Sequence, residues 1–169
     1  LFQMDEPERF GETRDEQLFS IGLELVIIWL NRILFLKLLE SQLVKYHKLS
    51  ESSELSESYS FLNINTIHDF DELNELFFEV LAIEPHLRTK TLQEKYPHIP
   101  YLNSSLFEAN EVERETLRIN QLKSRKELLV FGATVLKDRN GKRISGNRPL
   151  LHYIFDFLDS YNFASNHKA

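Results

Sequence analysis

The stretch Leu18–Lys48 reads LFSIGLELVIIWLNRILFLKLLESQLVKYHK, and its reading decides the fold. Large apolar residues follow one another almost without pause from Leu18 to Leu39, and no proline interrupts them. The run is too long for a strand and predicts one long helix, about 15–48. Its apolar residues cover most of the circumference, so other elements are expected to pack all round it. Burying a dozen such side chains stabilises a fold by about 1.5–3 kcal/mol each. A membrane span would need roughly 20 predominantly apolar residues with few charges. Glu24, Asn31, Arg32 and Lys37 break the run, and a charge near a bilayer centre costs at least about 2.5–3.5 kcal/mol. The expectation is therefore a buried core helix in a soluble protein.

The rest of the chain is read as what surrounds that helix. There are 169 residues, enough for one domain with a real core. The formal net charge of −6 argues against a wholly basic nucleic-acid binder and leaves room for a local basic face. Zero cysteines exclude disulfides, thiolate catalysis and cysteine-ligated metals, and fit a reducing compartment. No signal peptide is visible, because the N-terminus is acidic and the apolar run lacks a small-residue cleavage site. Five glycines disfavour β-sandwiches and glycine-rich nucleotide folds, and thirteen phenylalanines suit an aromatic helical core. The fold class expected is mainly α: an irregular helical bundle around one long apolar helix.

Residues 1–17 are polar and acidic and read as a lead-in. Asp15 or Thr13 would cap the main helix, with Glu16 near its positive end. The serine- and glutamate-rich tract 50–60 predicts a mobile loop. In TIHDFDELNELFFEVLAI, Phe70, Leu73, Phe77 and Val80 recur at helical steps. A helix is expected there, capped near Thr66 or Asp69 and stopped by Pro85. PHIPYLNSSLFE reads as an extended excursion followed by a turn, and residues 110–127 as a charged helix. LLVFGATVL favours strand, and Asn140-Gly141 behind it signals a tight turn, which allows a small β-hairpin near 128–144. Asn147 and Pro149 open a last helix through Tyr161, with Leu151, Ile154, Phe155 and Leu158 as its buried stripe. One helical domain over 18–163 and a tail at 164–169 are expected, as a piece of a longer chain.

Several chemistries lack their residues. No lysine has an acidic residue two positions before it, so the (Asp/Glu)-x-Lys half of a common metal-dependent nuclease site is missing. No Asn-Pro-Pro-aromatic or Asp-Pro-Pro-aromatic stretch occurs, which removes the usual amino-methyltransferase loop. GKRISG has glycines at P-loop spacing, but Asn147 stands where the lysine must be. The six histidines are scattered and never at metal-ligand spacing. Asp69, Asp71 and Glu72 lie at a helix start, where they serve the dipole. No catalytic, cofactor-binding or metal residue is assigned.

Two positive features remain. Asn31 and Arg32 interrupt the apolar helix. They read first as a buried, satisfied polar pair fixing register, and second as an arginine presented to a neighbouring domain or to DNA. Charge is also segregated. From Glu113 to Arg148 there are ten basic and four acidic residues, a local +6, so the remainder of the chain carries −12. Lys123, Arg125, Lys126, Lys137, Arg139, Lys142, Arg143 and Arg148 are candidate contacts to DNA phosphates. A solvated face is the plainer reading of the same charges.

Three stretches resemble a known family. IGLELVIIWLNRILFLKLLESQLVKYH resembles the helix that precedes the methyltransferase domain in single-chain type IIG restriction-modification enzymes. NELFFEVLA followed by IPYLNSSLFE resembles the next elements, the second being similar to a Leu-Asn-Gly-Gly-Leu-Phe segment of that wider class. Ser104-Ser105 replace the two glycines. ATVLKD followed by YIFDFLDSYNF resembles the last part before the cofactor-binding core. Together they cover most of residues 18–163, in the family's order. The resemblance implies a bacterial, cytoplasmic parent chain with a nuclease, this helical connector, an adenine-specific DNA methyltransferase and a target-recognition domain. S-adenosylmethionine and Mg²⁺ would belong to the neighbouring nuclease and methyltransferase domains, and double-stranded DNA would be the parent's partner. No catalytic residue carries over, because none has a matching position. The function expected is a non-catalytic spacer that joins and orients those modules. The rivals are a free-standing helical protein-interaction module and a small enzyme with an unrecognised site.

Overall fold

The structure, a computed structural model, describes residue 4 and residues 6–50, 59–134, 136–138 and 140–161, with backbone alone for 48–50. The fold is mainly helical, built on one long apolar helix, with a small two-stranded antiparallel sheet. Helix α1 (Arg14–Ser50) has 37 residues and is about 55 Å long at 1.5 Å rise per residue. Thr13 and Glu16 start it as a capping box. The Thr13 hydroxyl accepts from the Glu16 N–H at 3.3 Å, and the Glu16 carboxylate accepts from the Thr13 N–H at 3.0 Å. Of the expected mobile loop 50–60, residues 51–58 lie outside the described residues.

Close contacts divide the chain into two compact units, each assembled from two separated stretches. The first takes residues 1–35 and 73–122. There Ile21, Leu25, Trp29 and Ile33 of α1 are buried, as are Leu76, Phe77, Val80, Leu81, Phe107 and Val112. Helix α2 (Phe70–Glu75) begins where Asp69 accepts from the Glu72 N–H at 2.9 Å, and continues as a π-helical stretch over Leu76–Leu81. Pro85 follows and opens a 3₁₀ turn, Pro85–Leu87. Helix α3 (Lys90–Lys95) is capped by Thr89. A 3₁₀ turn, Ser105–Phe107, is capped by the Ser104 side chain and leads to α4 (Glu111–Glu115). The long charged helix expected over 110–127 is only this short α4 and a 3₁₀ turn at Ile119–Gln121. Thr116 leaves helical geometry, at φ −125° and ψ −88°, and ends it.

The second unit takes residues 36–72 and 123–169. Strand β1 (Glu127–Leu129) pairs antiparallel with β2 (Asn147–Pro149), and Val130 N–H donates to Gly146 C=O at 2.9 Å. Nearer the tip, Lys137 bridges Arg143. The Asp138 carboxylate accepts from the Asn140 and Lys142 N–H groups at 2.9 and 2.8 Å. Gly141, at φ +78°, supplies the left-handed residue of that turn. The hairpin allowed by Asn140-Gly141 is thus a longer ribbon than the sequence suggested. Residues 147–149, expected to open the last helix, belong to its second strand. Helix α5 (Leu150–Asp159) follows, burying Leu151, Phe155 and Leu158.

One expectation about α1 fails. Among the described residues, other elements do not cover it all round. Leu23, Val26, Ile27, Leu30 and Leu34 are 40–49 % exposed and Phe19 is 72 % exposed. Only 28 % of its most apolar stretch is buried, and by length and composition the helix could cross a membrane. The charges that interrupt it do not all lie on the open side. Arg32 is buried against an ionised partner, described below.

Candidate functional site

Arg32 projects from the buried face of α1 into the first unit and is 1 % exposed. Its fork meets the Glu113 carboxylate on two edges: Nη2 donates to Oε2 at 2.7 Å, and Nη1 donates to Oε1. Nε donates to the Leu106 C=O at 2.6 Å, and Nη2 also donates to the Glu108 C=O at 2.8 Å. The guanidinium stands 5.6 Å from the Phe77 ring centre and 5.1 Å from that of Phe78. Both lie on the π-helical stretch, and such aromatic faces attract a cation.

Glu113 is equally committed. Its Oε1 also accepts from the Trp29 indole N–H at 2.8 Å, and its Oε2 from the Asn110 N–H at 3.1 Å. The last contact is half of a capping box, since Asn110 accepts in turn from the Glu113 N–H at 2.8 Å. Burial opposes ionisation of Glu113. The hydrogen bond and charge of Arg32, the Asn110 N–H and the Trp29 indole outweigh it, and the carboxyl titrates below its ordinary value. A carboxylate with this many donors is held as an anion and has no lone pair to spare for acid–base work. The chemistry is an internal, multiply hydrogen-bonded ion pair that ties α1 to the Leu106–Glu113 segment.

This settles where Asn31 and Arg32 lie. They are adjacent in sequence but do not form a pair, because Asn31 is exposed while Arg32 is buried. The reading in which Arg32 reaches a neighbouring domain or DNA is corrected: the guanidinium is buried and makes four hydrogen bonds inside the first unit. Sequence reasoning missed Glu113 and Trp29. The signal for Glu113 was Asn-x-x-Glu at 110–113, which marks a helix start but not a distant partner. Arg88 was also missed. It is 5 % exposed and donates to the Ile83 and Ile99 C=O groups at 3.0 and 2.8 Å, latching the proline-rich segment, while burial pushes its pKa down.

In the second unit Lys37 donates to Glu40 and Asp159, each at 2.8 Å. Burial opposes its charge, but the hydrogen bonds and charges of Asp159 and Glu40 prevail and raise its pKa. Glu40, 3 % exposed, also accepts from the Leu62 N–H at 2.7 Å. Of the candidate phosphate contacts, Lys137, Lys142 and Arg143 gather at the ribbon tip and are exposed. Arg143 donates to the Gly132 C=O at 2.6 Å. Lys123, Arg125 and Lys126 lie ahead of β1, and all three are exposed. Arg148 is pinned to Asp156 at 2.7 Å and half-buried, so it is removed from the free cations. Arg139 lies outside the described residues. Among the described residues, no three His, Asp or Glu side chains converge as a metal site would need.

The arrangement defines a helical scaffold whose buried polar groups fasten one element to another. The chain belongs to the family described as Domain of unknown function (DUF7814), which matches residues 1–169. No curated protein and no solved structure matches it.

Proposed function

We propose that the chain is a non-catalytic helical spacer of a type IIG restriction-modification enzyme, joining and orienting nuclease and adenine methyltransferase modules on DNA. The observation that carries the reading is the Arg32 fastening. It ties together the first two stretches on which the resemblance rests, the α1 sequence and YLNSSLFE, through bonds that are purely structural. A spacer needs such internal rigidity, because orientation is lost if its long helix can slide against the segment beside it. S-adenosylmethionine and Mg²⁺ belong to the neighbouring modules in this reading, and the parent works on double-stranded DNA in the cytoplasm.

The reading frame that encodes the chain tests this directly. It should continue upstream into a metal-dependent nuclease motif and downstream into Asn-Pro-Pro-Tyr. A frame that contains neither refutes the connector. A second reading, a free-standing protein-interaction module, is favoured by the uncovered apolar side of α1. It predicts a reading frame with no enzyme domains.

The ribbon tip adds a weak grip on phosphates. Replacing Lys137, Lys142 and Arg143 by alanine in the parent enzyme should flatten the dependence of DNA affinity on salt, by up to about 0.9 log units for each phosphate that is no longer neutralised. Affinity should fall equally on cognate and random duplexes, because such cations read no base edges. An unchanged slope would leave the tip as a solvated face.

A further inference from the structure

The uncovered stripe on α1 has an internal order. Phe19, Leu23, Val26, Ile27, Leu30 and Leu34 all belong to the first unit and lie between 40 % and 72 % exposed. Helical spacing puts them on one side. Within it, Leu23, Ile27, Leu30 and Leu34 follow steps of four, three and four, the heptad seam by which two helices interlock. We propose that this stripe is the interface of a homodimer, in which α1 packs antiparallel against α1 of a second copy.

Three observations favour a second copy as the occupant. First, the stripe is self-complementary. A two-fold axis beside residues 28 and 29 sets Leu23 of one copy on Leu34 of the other, and Ile27 on Leu30, so every seam residue meets an apolar partner. A two-fold interface requires this reciprocity. Second, the area reaches the range of specific interfaces. The six side chains expose on the order of 600 Å² per copy, so a pair that covered them completely would hide about 1,200 Å², the lower bound of that range. Third, the polar edge matches. Glu24 and Asn31 lie seven residues apart along the same edge. The antiparallel arrangement brings the Asn31 amide of one copy, a donor, towards the Glu24 carboxylate of the other, and sets the two helix dipoles against each other.

Insertion of α1 as a membrane span is a competing use of the stripe, and the first unit is poorly built for it. The segment fastened to α1 through Glu113 carries Glu111 and Arg114 on its exposed side, and Arg9 reaches Glu111 at 3.3 Å. Inserting α1 as a span would drag these charges towards hydrocarbon, where each is costly. DNA is excluded by the stripe's lack of any cation. The inference is independent of the connector reading, since a spacer or a free module could equally pair through this face.

Sedimentation equilibrium of the 169-residue chain, from about 1 μM to about 1 mM, tests it. A reversible monomer–dimer equilibrium is expected. The double substitution Ile27→Glu/Leu30→Glu should weaken it at least about tenfold, while the urea midpoint of the dilute chain stays close to that of the parent sequence. The absence of native cysteines allows an orientation test. Ile27→Cys and Leu30→Cys chains, mixed and oxidised, should form the mixed disulfide in preference to either symmetric one. A chain that stays monomeric throughout, or a dimer untouched by the double substitution, overturns the proposal. Preferred symmetric disulfides overturn the antiparallel arrangement. A monomer that co-sediments with phosphatidylcholine–phosphatidylglycerol vesicles, and stops doing so when residues 27 and 30 are glutamate, would assign the stripe to a lipid surface instead.

Discussion

The two sides of α1 in the first unit are made of the same kinds of residue and have opposite fates. Ile21, Leu25, Trp29 and Ile33 are 2–6 % exposed, whereas Leu23, Ile27, Leu30 and Leu34 are 40–49 % exposed. Hydrophobicity does not separate them. What separates them is Arg32, the one strongly polar residue on the covered side. Its buried fork draws in Glu113, and Glu113 draws in Trp29 and the start of α4. The polar residue therefore marks the inside of this helix, and the aliphatic stripe marks the outside. A buried charge needs a partner far more than an exposed leucine needs cover, because an unpaired ion in low dielectric costs several kcal/mol. An exposed apolar side chain forgoes only a part of about 1.5–3 kcal/mol.

The sharpest way to break that contrast is Arg32→Ala. It strands the Glu113 carboxylate and two backbone carbonyls, and should cost about 3–5 kcal/mol. Urea unfolding would register this as a midpoint lower by more than about 1 M. An unchanged midpoint would mean that the ion pair does not hold α1 in place. Replacing both partners by apolar residues of similar size, Arg32→Met with Glu113→Leu, should recover a good part of the loss.

Acid should erode the same ion pair. Folding holds the Glu113 pKa below its ordinary value of 4.5. Its contribution is therefore fully present above about pH 4.5 and is lost as pH falls through the lower folded-state value. Unfolding of the parent sequence and of Glu113→Gln, compared between pH 7 and pH 3, should differ most at the upper end and converge at the lower. Parallel curves would show that Glu113 is not the titrating group. Lys37 is expected to act with the opposite sign. Its raised pKa makes its contribution present below about pH 10.5 and lost as pH climbs above that.

Trp29→Phe keeps most of the ring's packing and removes only the indole donor to Glu113. Because the carboxylate keeps Arg32 and Asn110, a loss of about 1–2 kcal/mol is expected in urea unfolding. A loss as large as that of Arg32→Ala would make Trp29 the principal anchor. The smallest effects belong to the open side. Phe19→Ser and Leu30→Gln, measured on the dilute monomer, should each change stability by less than about 1 kcal/mol. A larger loss would mean that some part of the fold covers the stripe after all.

The amino-acid sequence by itself determined the long helix, its cap region, the mainly helical class and the tight turn at Asn140-Gly141. These follow from local rules: unbroken apolar run length, cap chemistry, and the backbone freedom that glycine brings to a turn. Pairing and burial were decided only in three dimensions. That Arg32 is buried while Asn31 beside it is exposed depends on which side of α1 the Leu106–Glu113 segment occupies. Glu113 is 81 residues from Arg32, and nothing local to either specifies the other. The same holds for the basic residues. Ten of them fall between Glu113 and Arg148, but only the fold places Lys137, Lys142 and Arg143 at one tip and gives Arg148 to Asp156. Helical periodicity assigns residues to faces, and which face is covered depends on packing between segments distant in sequence.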